Sequence, residues 1–419
     1  MSKYIIEGGK PLRGTISIGG CKNAALPIMA AALISDENST IKNIPDTSDV
    51  KIMAQIIAST GAHIQQIDTN TWEIGGKNID TCTIKPELAR QMRSSILLVP
   101  PILTHCKKIE FPHPGGCVIG TRPLDTHFEA LRALGVSITA NNKNYIAEIT
   151  ILKGTKMFLD EVSVTATENA LMLASISPGE TIIEPAACEP HVVDLANFLI
   201  KAGAKIEGAG THIIKVTGVE KLHAVQDYSI IPDNIEAGTY AIAAVATGGE
   251  ITIKNIIPED LDPIIHKLKQ MGGNVELSEN TITIRKGEKI TNARIQIDTW
   301  PRLPTDIQAP FGVLATQAEG TSLVHDWMYE KRLAYIDDLL RMGANITVCD
   351  PHRALITGPT HLYGTKILSP DIRAGIALVI AALIAEGKSE IDHIELIDRG
   401  YEYLEKRLQD LGAQIKRVD

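Results

Sequence analysis

The chain has 419 residues, with 50 acidic against 41 basic side chains, a formal charge of −9, and 44% hydrophobic but only 4% aromatic content. That much aliphatic surface excludes a disordered chain. The acidic balance and missing aromatic platforms exclude an ordinary nucleic-acid binder. Length alone allows two to four domains, with a core of Ile, Leu, Val and Ala.

The chain begins Met1-Ser2-Lys3-Tyr4-Ile5-Ile6-Glu7, which contains no signal-peptide apolar core, so a cytoplasmic location is expected. Gly19-Gly20-Cys21-Lys22-Asn23 follows. Adjacent glycines allow close backbone approach, and Lys22 is a point charge suited to phosphate. Residues 24–33 read as a buried helix whose N-terminus would favour an anion. The same segment reads equally as a glycine turn carrying a solvated lysine.

Arg93 stands in Gln91-Met92-Arg93-Ser94-Ser95. His113-Pro114-Gly115-Gly116-Cys117-Val118-Ile119-Gly120-Thr121-Arg122-Pro123 is a glycine-rich loop around one thiol. Arg122 would lower the pKa of that thiol or bind an anionic substrate, which leaves Cys117 either catalytic or simply exposed. Further on, Arg302-Leu303-Pro304-Thr305-Asp306-Ile307-Gln308-Ala309-Pro310 places Asp306 before an apolar helix. There it is a helix cap or a general base.

A helix over 335–342 carries Ile336, Leu339 and Leu340 on one stripe. Arg332, Arg373 and Arg399 sit beside special loops, and each taken alone is a surface ion pair. The run 374–385 is too short to cross a bilayer, which takes about 20 residues. The six cysteines, Cys21, Cys82, Cys106, Cys117, Cys188 and Cys349, form no Cys-x-x-Cys pair. No zinc site of that type is expected, and reduced thiols are the simplest expectation.

A repeat runs through all of this. A helix-like end, then glycine, then an alternating strand recurs at Gly61, Gly135, Gly203, Gly272, Gly343 and Gly412, about 70 residues apart. A companion series at Gly179, Gly249, Gly320 and Gly387 keeps the same period. Glycine just past a helix takes the left-handed cap conformation cheaply, and the alternation that follows suits a half-buried strand. Six α/β units, grouped as two clusters of three, are expected.

The segment from Gly8 to Pro27, the Gly115 to His127 loop, Pro304-Thr305-Asp306-Ile307-Gln308-Ala309, Asp371-Ile372-Arg373-Ala374 and Ile397-Asp398-Arg399-Gly400-Tyr401-Glu402 together resemble UDP-N-acetylglucosamine enolpyruvyl transferases. So does Pro232-Asp233-Asn234-Ile235-Glu236-Ala237-Gly238-Thr239. The resemblance runs from end to end and in order. It implies an α/β fold of two inverse α/β barrel lobes, 22–231 and 1–21 with 232–419, and an active site in the interlobe cleft. It also implies transfer of the enolpyruvyl group of phosphoenolpyruvate to the 3′-hydroxyl of UDP-N-acetylglucosamine. Phosphate is released, in the first committed step of peptidoglycan synthesis.

Carried over by motif, the resemblance makes Cys117 the general acid, open to alkylation by fosfomycin, and Asp306 the base. Lys22, Arg122 and Arg399 hold phosphate. Arg332 and Arg373 engage the carboxylate, with Asp371 beside them. Asn23 touches both substrates, and Arg93 aids phosphoenolpyruvate binding. Arg122, Pro123, Leu124, Asp125, Ser163, Val164, Thr165 and Met328 border the nucleotide sugar. No cofactor, metal, nucleic acid, membrane or obligate protein partner is expected.

Four places depart from the family pattern: Lys331 for asparagine, Cys21 for alanine, Thr165 for glycine, and the 184–190 stretch without its usual asparagine and arginine. They leave room for another uridine nucleotide as acceptor. The related shikimate 3-phosphate enzymes share the architecture.

Overall fold

The computed structural model describes residues 2–116, 119–141 and 144–418. The chain divides into two compact units. Unit 1 comprises Met1–Gly19, Val118–Thr121 and Pro232–Asp419; unit 2 comprises Gly20–Cys117 and Arg122–Ile231.

The repeat is realised as one βαβαββ module used six times. The plainest copy runs through strand Arg294–Gln296, helix Gln308–Ala315, strand Gly320–His325, helix Ile336–Arg341 and the hairpin Asn345–Asp350 with Arg353–Gly358. The first two strands pair in parallel, and the hairpin adds antiparallel. In unit 2 the copy made of Lys156–Phe158, Glu180–Glu184, Lys205–Glu207 and Ile214–Thr217 has the same strand order.

Three copies complete themselves from elsewhere in the sequence. Strand Arg13–Ser17 opens the sheet of Glu250–Lys254. Strand Tyr228–Ser229 opens that of Ser39–Lys42. Strand Lys3–Glu7 lies between Lys388–Asp392 and Gln414–Val418. In the remaining copy the opening strand shrinks to a single bridge, Thr83 beside Glu110.

The first helix of each module is the more apolar one. In unit 1, Asn234–Ala246 and Gln308–Ala315 are buried at every position, and Ile372–Ile384 is buried from Arg373 to Leu383. A helix apolar all round must be enclosed. These three pack on one another, with their sheets outside them. The run at 374–385 is therefore core, and no helix among the described residues is long and apolar enough to cross a membrane. Unit 2 encloses Lys22–Ala32 and Val164–Ala174 in the same manner.

All six glycines of the repeat adopt positive φ, from +85° at Gly61 to +107° at Gly203. In the companion series Gly179, Gly320 and Gly387 do so as well, but at the fourth place the left-handed residue is Gly248. Gly249 is needed for a different reason, because a Cβ there would lie 1.9 Å from the Leu12 carbonyl oxygen.

The expectation of reduced thiols throughout is corrected by a disulfide between Cys82 and Cys106. Their Cα atoms are 5.9 Å apart, within bonding reach. Cys21 and Cys188 are buried cysteines outside this disulfide, and Cys349 is an exposed one.

Two repeat glycines separate conformational strain from collision. At Gly412 a Cβ meets nothing within 4 Å, whereas at Gly272 it lies 2.1 Å from the Lys289 carbonyl oxygen. Gly412→Ala should cost about 1–2 kcal/mol from the left-handed backbone alone, and Gly272→Ala clearly more. Denaturant unfolding of the two variants measures this. Equal losses would refute the distinction.

Candidate functional site

In unit 1 the expected residues gather around one carboxylate. Asp306 lies in the short 3-10 turn Thr305–Ile307 that leads into helix Gln308–Ala315. Neither turn nor helix has a side-chain cap, so Asp306 is not acting as one. Its Oδ1 accepts from Arg332 Nη2 at 2.5 Å, and its Oδ2 accepts from Arg373 Nη2 at 2.8 Å.

Both guanidiniums are nearly enclosed, Arg332 at 7% and Arg373 at 5% exposure. Burial alone disfavours the Arg373 charge, but Asp306, Tyr401 and Asp233 more than offset it and hold its pKa above the ordinary arginine value. Neighbouring groups fix the two arginines from behind. Arg332 Nε donates to Thr305 Oγ1 (3.1 Å), which donates in turn to Asp326 Oδ2 (2.5 Å). Asp326 is fully buried, and burial raises its pKa despite these contacts. Arg373 Nη1 donates to the Tyr401 hydroxyl at 3.2 Å, which meets Thr239 Oγ1 at 2.9 Å.

Asp371 caps helix Ile372–Ile384, accepting from the amides of Arg373 and Ala374 at 2.8 and 3.1 Å. Its Oδ1 also stands 3.8 Å from Arg332 Nη1. Asp371 thus positions Arg373 through the backbone and Arg332 through charge. Arg399 is half-buried in the turn after Ile394–Leu396. Met328 is half-buried against the unit 1 core.

Residues 119–121 group with this unit although the chain on either side belongs to the other. The Glu330 carboxylate accepts from the Thr121 amide at 2.7 Å, and the Lys331 amide donates to the Ile119 carbonyl at 3.0 Å. That amide contact is the largest cause of a Glu330 pKa held below the carboxylate norm. Gly120 sits at φ +151°, and a Cβ there would lie 2.3 Å from Glu330 Oε2. Lys331 thus acts here through its amide, which asparagine would supply equally.

Unit 2 carries the other residues. Lys22 opens helix Lys22–Ala32 and points its ammonium at Asp49 Oδ2, 3.2 Å away, with both side chains buried. Gly20 fits only as glycine, because a Cβ would lie 1.6 Å from the Asn43 carbonyl oxygen. Asn23 is half-buried one residue past Lys22. Cys117 lies outside the described residues. Its neighbours Gly115 and Gly116 press against the backbone of Arg90 and Gln91, where a Cβ on either would come within 2.1 Å of a carbonyl oxygen.

The Arg93 guanidinium donates to the carbonyls of Arg122 (2.5 Å) and Pro123 (2.9 Å). Its visible work is therefore to hold the exit of the loop. Arg122 is half-buried, and Pro123 and Asp125 are exposed. Leu124 is core at 3% exposure, so it can face a ligand only through its backbone. Ser163 caps helix Val164–Ala174 by accepting from the Ala166 amide at 3.4 Å. Val164 and Thr165, the first two residues of that helix, are half-buried.

Several structural contacts were assigned by no motif. Thr165 Oγ1 meets His127 Nε2 at 3.1 Å, and His127 Nδ1 meets Asn169 Nδ2 at 3.2 Å. The Asn169 amide also reaches the Ile96 carbonyl at 3.3 Å. Asp49 and Asp326 likewise look like ordinary helix and loop acids in the sequence. A polar residue inside an apolar helical pattern, such as Asn169 in Ala166-Thr167-Glu168-Asn169-Ala170-Leu171, was the only available signal. Among the described residues no group of His, Cys, Asp or Glu side chains is arranged to hold a metal ion.

Residues 6–408 match the family model described as EPSP synthase (3-phosphoshikimate 1-carboxyvinyltransferase). The chain belongs to the EPSP synthase family.

Within that family it is 44% identical to the UDP-N-acetylglucosamine 1-carboxyvinyltransferase of Treponema denticola, with 99% of each chain covered. It is 42% identical to UDP-N-acetylglucosamine 1-carboxyvinyltransferase 2 of Clostridium acetobutylicum, covering 100% of this chain and 99% of that one. Among solved structures, the family fold is matched by the enolpyruvyl transferase NikO from Streptomyces tendae. The TM-score is 0.89 at 23% identity, with 100% and 99% of the two chains covered. EPSP synthase from Acinetobacter baumannii matches at TM-score 0.76 and 19% identity, with both chains fully covered. The mixed α/β architecture of these enzymes is the fold of this chain.

His127 provides a pH test of this family member. Burial, then the charges of Arg93 and Arg122, push its pKa down to about 3 from 6.5. Below pH 6.5 the unfolded chain takes up a proton that the folded chain refuses. The His127 contribution to stability should therefore fall with pH by about 1.4 kcal/mol per unit between 6.5 and 3. Denaturation midpoints across that range should fall more steeply in the wild type than in His127→Gln, by that difference. Parallel curves would contradict it.

Proposed function

We propose that this chain transfers the enolpyruvyl group of phosphoenolpyruvate to the 3′-hydroxyl of UDP-N-acetylglucosamine and releases phosphate. That reaction is the first committed step of peptidoglycan synthesis, and it is carried out in the cytoplasm. The full-length identity of 44% to a UDP-N-acetylglucosamine 1-carboxyvinyltransferase carries the reading. The Asp306, Arg332 and Arg373 cluster supports it, because the chemistry needs a carboxylate near cations.

The reaction is addition followed by elimination. The 3′-hydroxyl oxygen bonds to C2 of phosphoenolpyruvate, its proton passes to a base, and C3 takes a proton from an acid. In the second stage C3 returns a proton and the C2–O bond to phosphate breaks. Unit 1 supplies Asp306 as the base, Arg332 and Arg373 for the substrate carboxylate, and Arg399 for phosphate. Asp371 holds the two arginines in register, and Met328 borders the sugar. Unit 2 supplies Cys117 as the acid, and Lys22 and Arg122 for phosphate. Asn23 steadies the tetrahedral intermediate.

Pro123, Leu124, Asp125, Ser163, Val164 and Thr165 border the nucleotide, and the capped start of helix Val164–Ala174 favours an anion. Arg93 acts in this scheme by holding the loop exit. Lys22 and Asp306 both begin in ion pairs, so substrate anions must compete with Asp49 for the ammonium and with Asp306 for the guanidiniums.

Phosphate release from phosphoenolpyruvate should require UDP-N-acetylglucosamine. Cys117→Ser and Asp306→Ala should each lose about 100-fold or more in turnover. A preference for shikimate 3-phosphate across an acceptor panel would sink the reading, and wild-type turnover in both variants would sink the roles. Fosfomycin with UDP-N-acetylglucosamine present should leave one adduct on Cys117 by mass spectrometry. An unmodified Cys117 would count against its assignment.

A further inference from the structure

The disulfide in unit 2 closes a ring that carries the supports of the loop around position 117. Cys82 lies in the short segment that runs beside strand Lys108–Pro112. Its carbonyl accepts from the Glu110 amide at 3.0 Å, and the Ile84 amide donates to the Glu110 carbonyl at 3.0 Å. Cys106 ends helix Val99–Cys106, which leads into that same strand. The two cysteines are 24 residues apart in sequence.

Between them lie helix Pro86–Ala89, the turn at 90–92, the 3-10 helix Arg93–Leu98 and helix Val99–Cys106. This ring touches the loop at both ends. On the entry side the Ala89 carbonyl accepts from the Gly115 amide at 3.1 Å, and the Arg90 and Gln91 carbonyls back Gly115 and Gly116. On the exit side Arg93 holds the carbonyls of Arg122 and Pro123. Ser95 braces the ring internally, its hydroxyl reaching the Met92 carbonyl at 3.0 Å and the Ala89 carbonyl at 3.4 Å. The ring's outer edge is less secure. Cys82 and Cys106 are only half-buried, and Thr83 gives that edge a single bridge in place of a strand.

We propose that the Cys82–Cys106 disulfide is a redox-operated staple that fixes this ring, and with it both ends of the loop at 115–123. Its effect on turnover rests on the reaction proposed above; its effect on the ring does not. A small disulfide of the glutathione type is the oxidant. One thiolate of the pair attacks it and releases a small thiolate, and the second then displaces the other. Two protein thiols give up two electrons and two protons, the protein S–S bond forms, and the small S–S bond is reduced to two thiols. A small thiol reverses both steps. Both residues are partly exposed, unlike the buried Cys21 and Cys188.

The test equilibrates the full chain with glutathione disulfide or with reduced glutathione. Linkage is read by non-reducing peptide mass spectrometry, and amide hydrogen exchange is followed over 86–98 and 113–123. Oxidation should link the Cys82 and Cys106 peptides. Reduction should speed exchange in both segments several-fold, and the Cys82→Ser/Cys106→Ser variant should exchange at the reduced rate under both conditions. Phosphate release should shift several-fold with redox state in the wild type, beyond any shift in the variant, which corrects for reaction at Cys117 and Cys349.

The staple is refuted if the two peptides are not linked after oxidation. It is refuted equally if exchange in 86–98 and 113–123 is unchanged on reduction. Loss of phosphate release in every sample, with the exchange response intact, would overturn the proposed reaction while leaving the staple standing. An exchange response without a turnover shift in an active enzyme would remove the redox effect on catalysis.

Discussion

Removing the Arg332 and Arg373 guanidiniums from water is tolerable chiefly because Asp306 meets both. A buried charge without a partner is among the most costly features a fold can contain. That requirement orders much of unit 1. The short 3-10 turn places Asp306 beside both arginines instead of over a helix end. Asp371 fixes the first turn of a wholly internal helix and so aims Arg373. Tyr401 and Thr239 close the far side, while Thr305 and Asp326 support Arg332. The fully buried helices are thus more than filler, since their starts are the rigid mounts from which charge is presented.

Unit 2 solves a related problem with less charge. One ammonium faces one buried carboxylate at the start of Lys22–Ala32, and a neutral chain of Thr165, His127 and Asn169 lies by the start of Val164–Ala174. Arg93 and Arg122 near His127 work against its protonation. The imidazole therefore acts as a hydrogen-bond spacer with no charge of its own. The 89–92 backbone and the Arg93 guanidinium then hold the two ends of the glycine loop by carbonyl contacts, the first of which requires glycine at 115 and 116.

The six modules were legible because their signal is local. A left-handed residue past a helix favours glycine, as at all six repeat positions, although Lys107 takes that conformation after Val99–Cys106; the strand after it alternates. The reading slipped at Gly249, where close approach to Leu12 imitates the cap that Gly248 provides. It could not see the opening strand at Thr83, reduced to one bridge, nor the disulfide, because residues 24 apart meet only through tertiary packing. Motif resemblance named Asp306, Arg332, Asp371 and Arg373, which the fold brings together. Their supports Asp326, Tyr401 and Thr239 were given no role, although Tyr401 and Thr239 stand inside quoted motifs, because nothing in an isolated acid, phenol or hydroxyl says what it will face. Asp49, His127 and Asn169 were left without a role for the same reason.

The placement of strand Lys3–Glu7 has a consequence for synthesis. It sits in the middle of its sheet, flanked by Lys388–Asp392 on one side and Gln414–Val418 on the other. In sequence it precedes both hydrogen-bonding partners by about 380 residues or more, so on the ribosome it is made well before them. The segment 20–231, which is self-contained apart from the short 118–121 stretch, can condense meanwhile. Until residues 388–418 have been made, Lys3–Glu7 remains an unpaired strand, with both edges open to pairing with other chains.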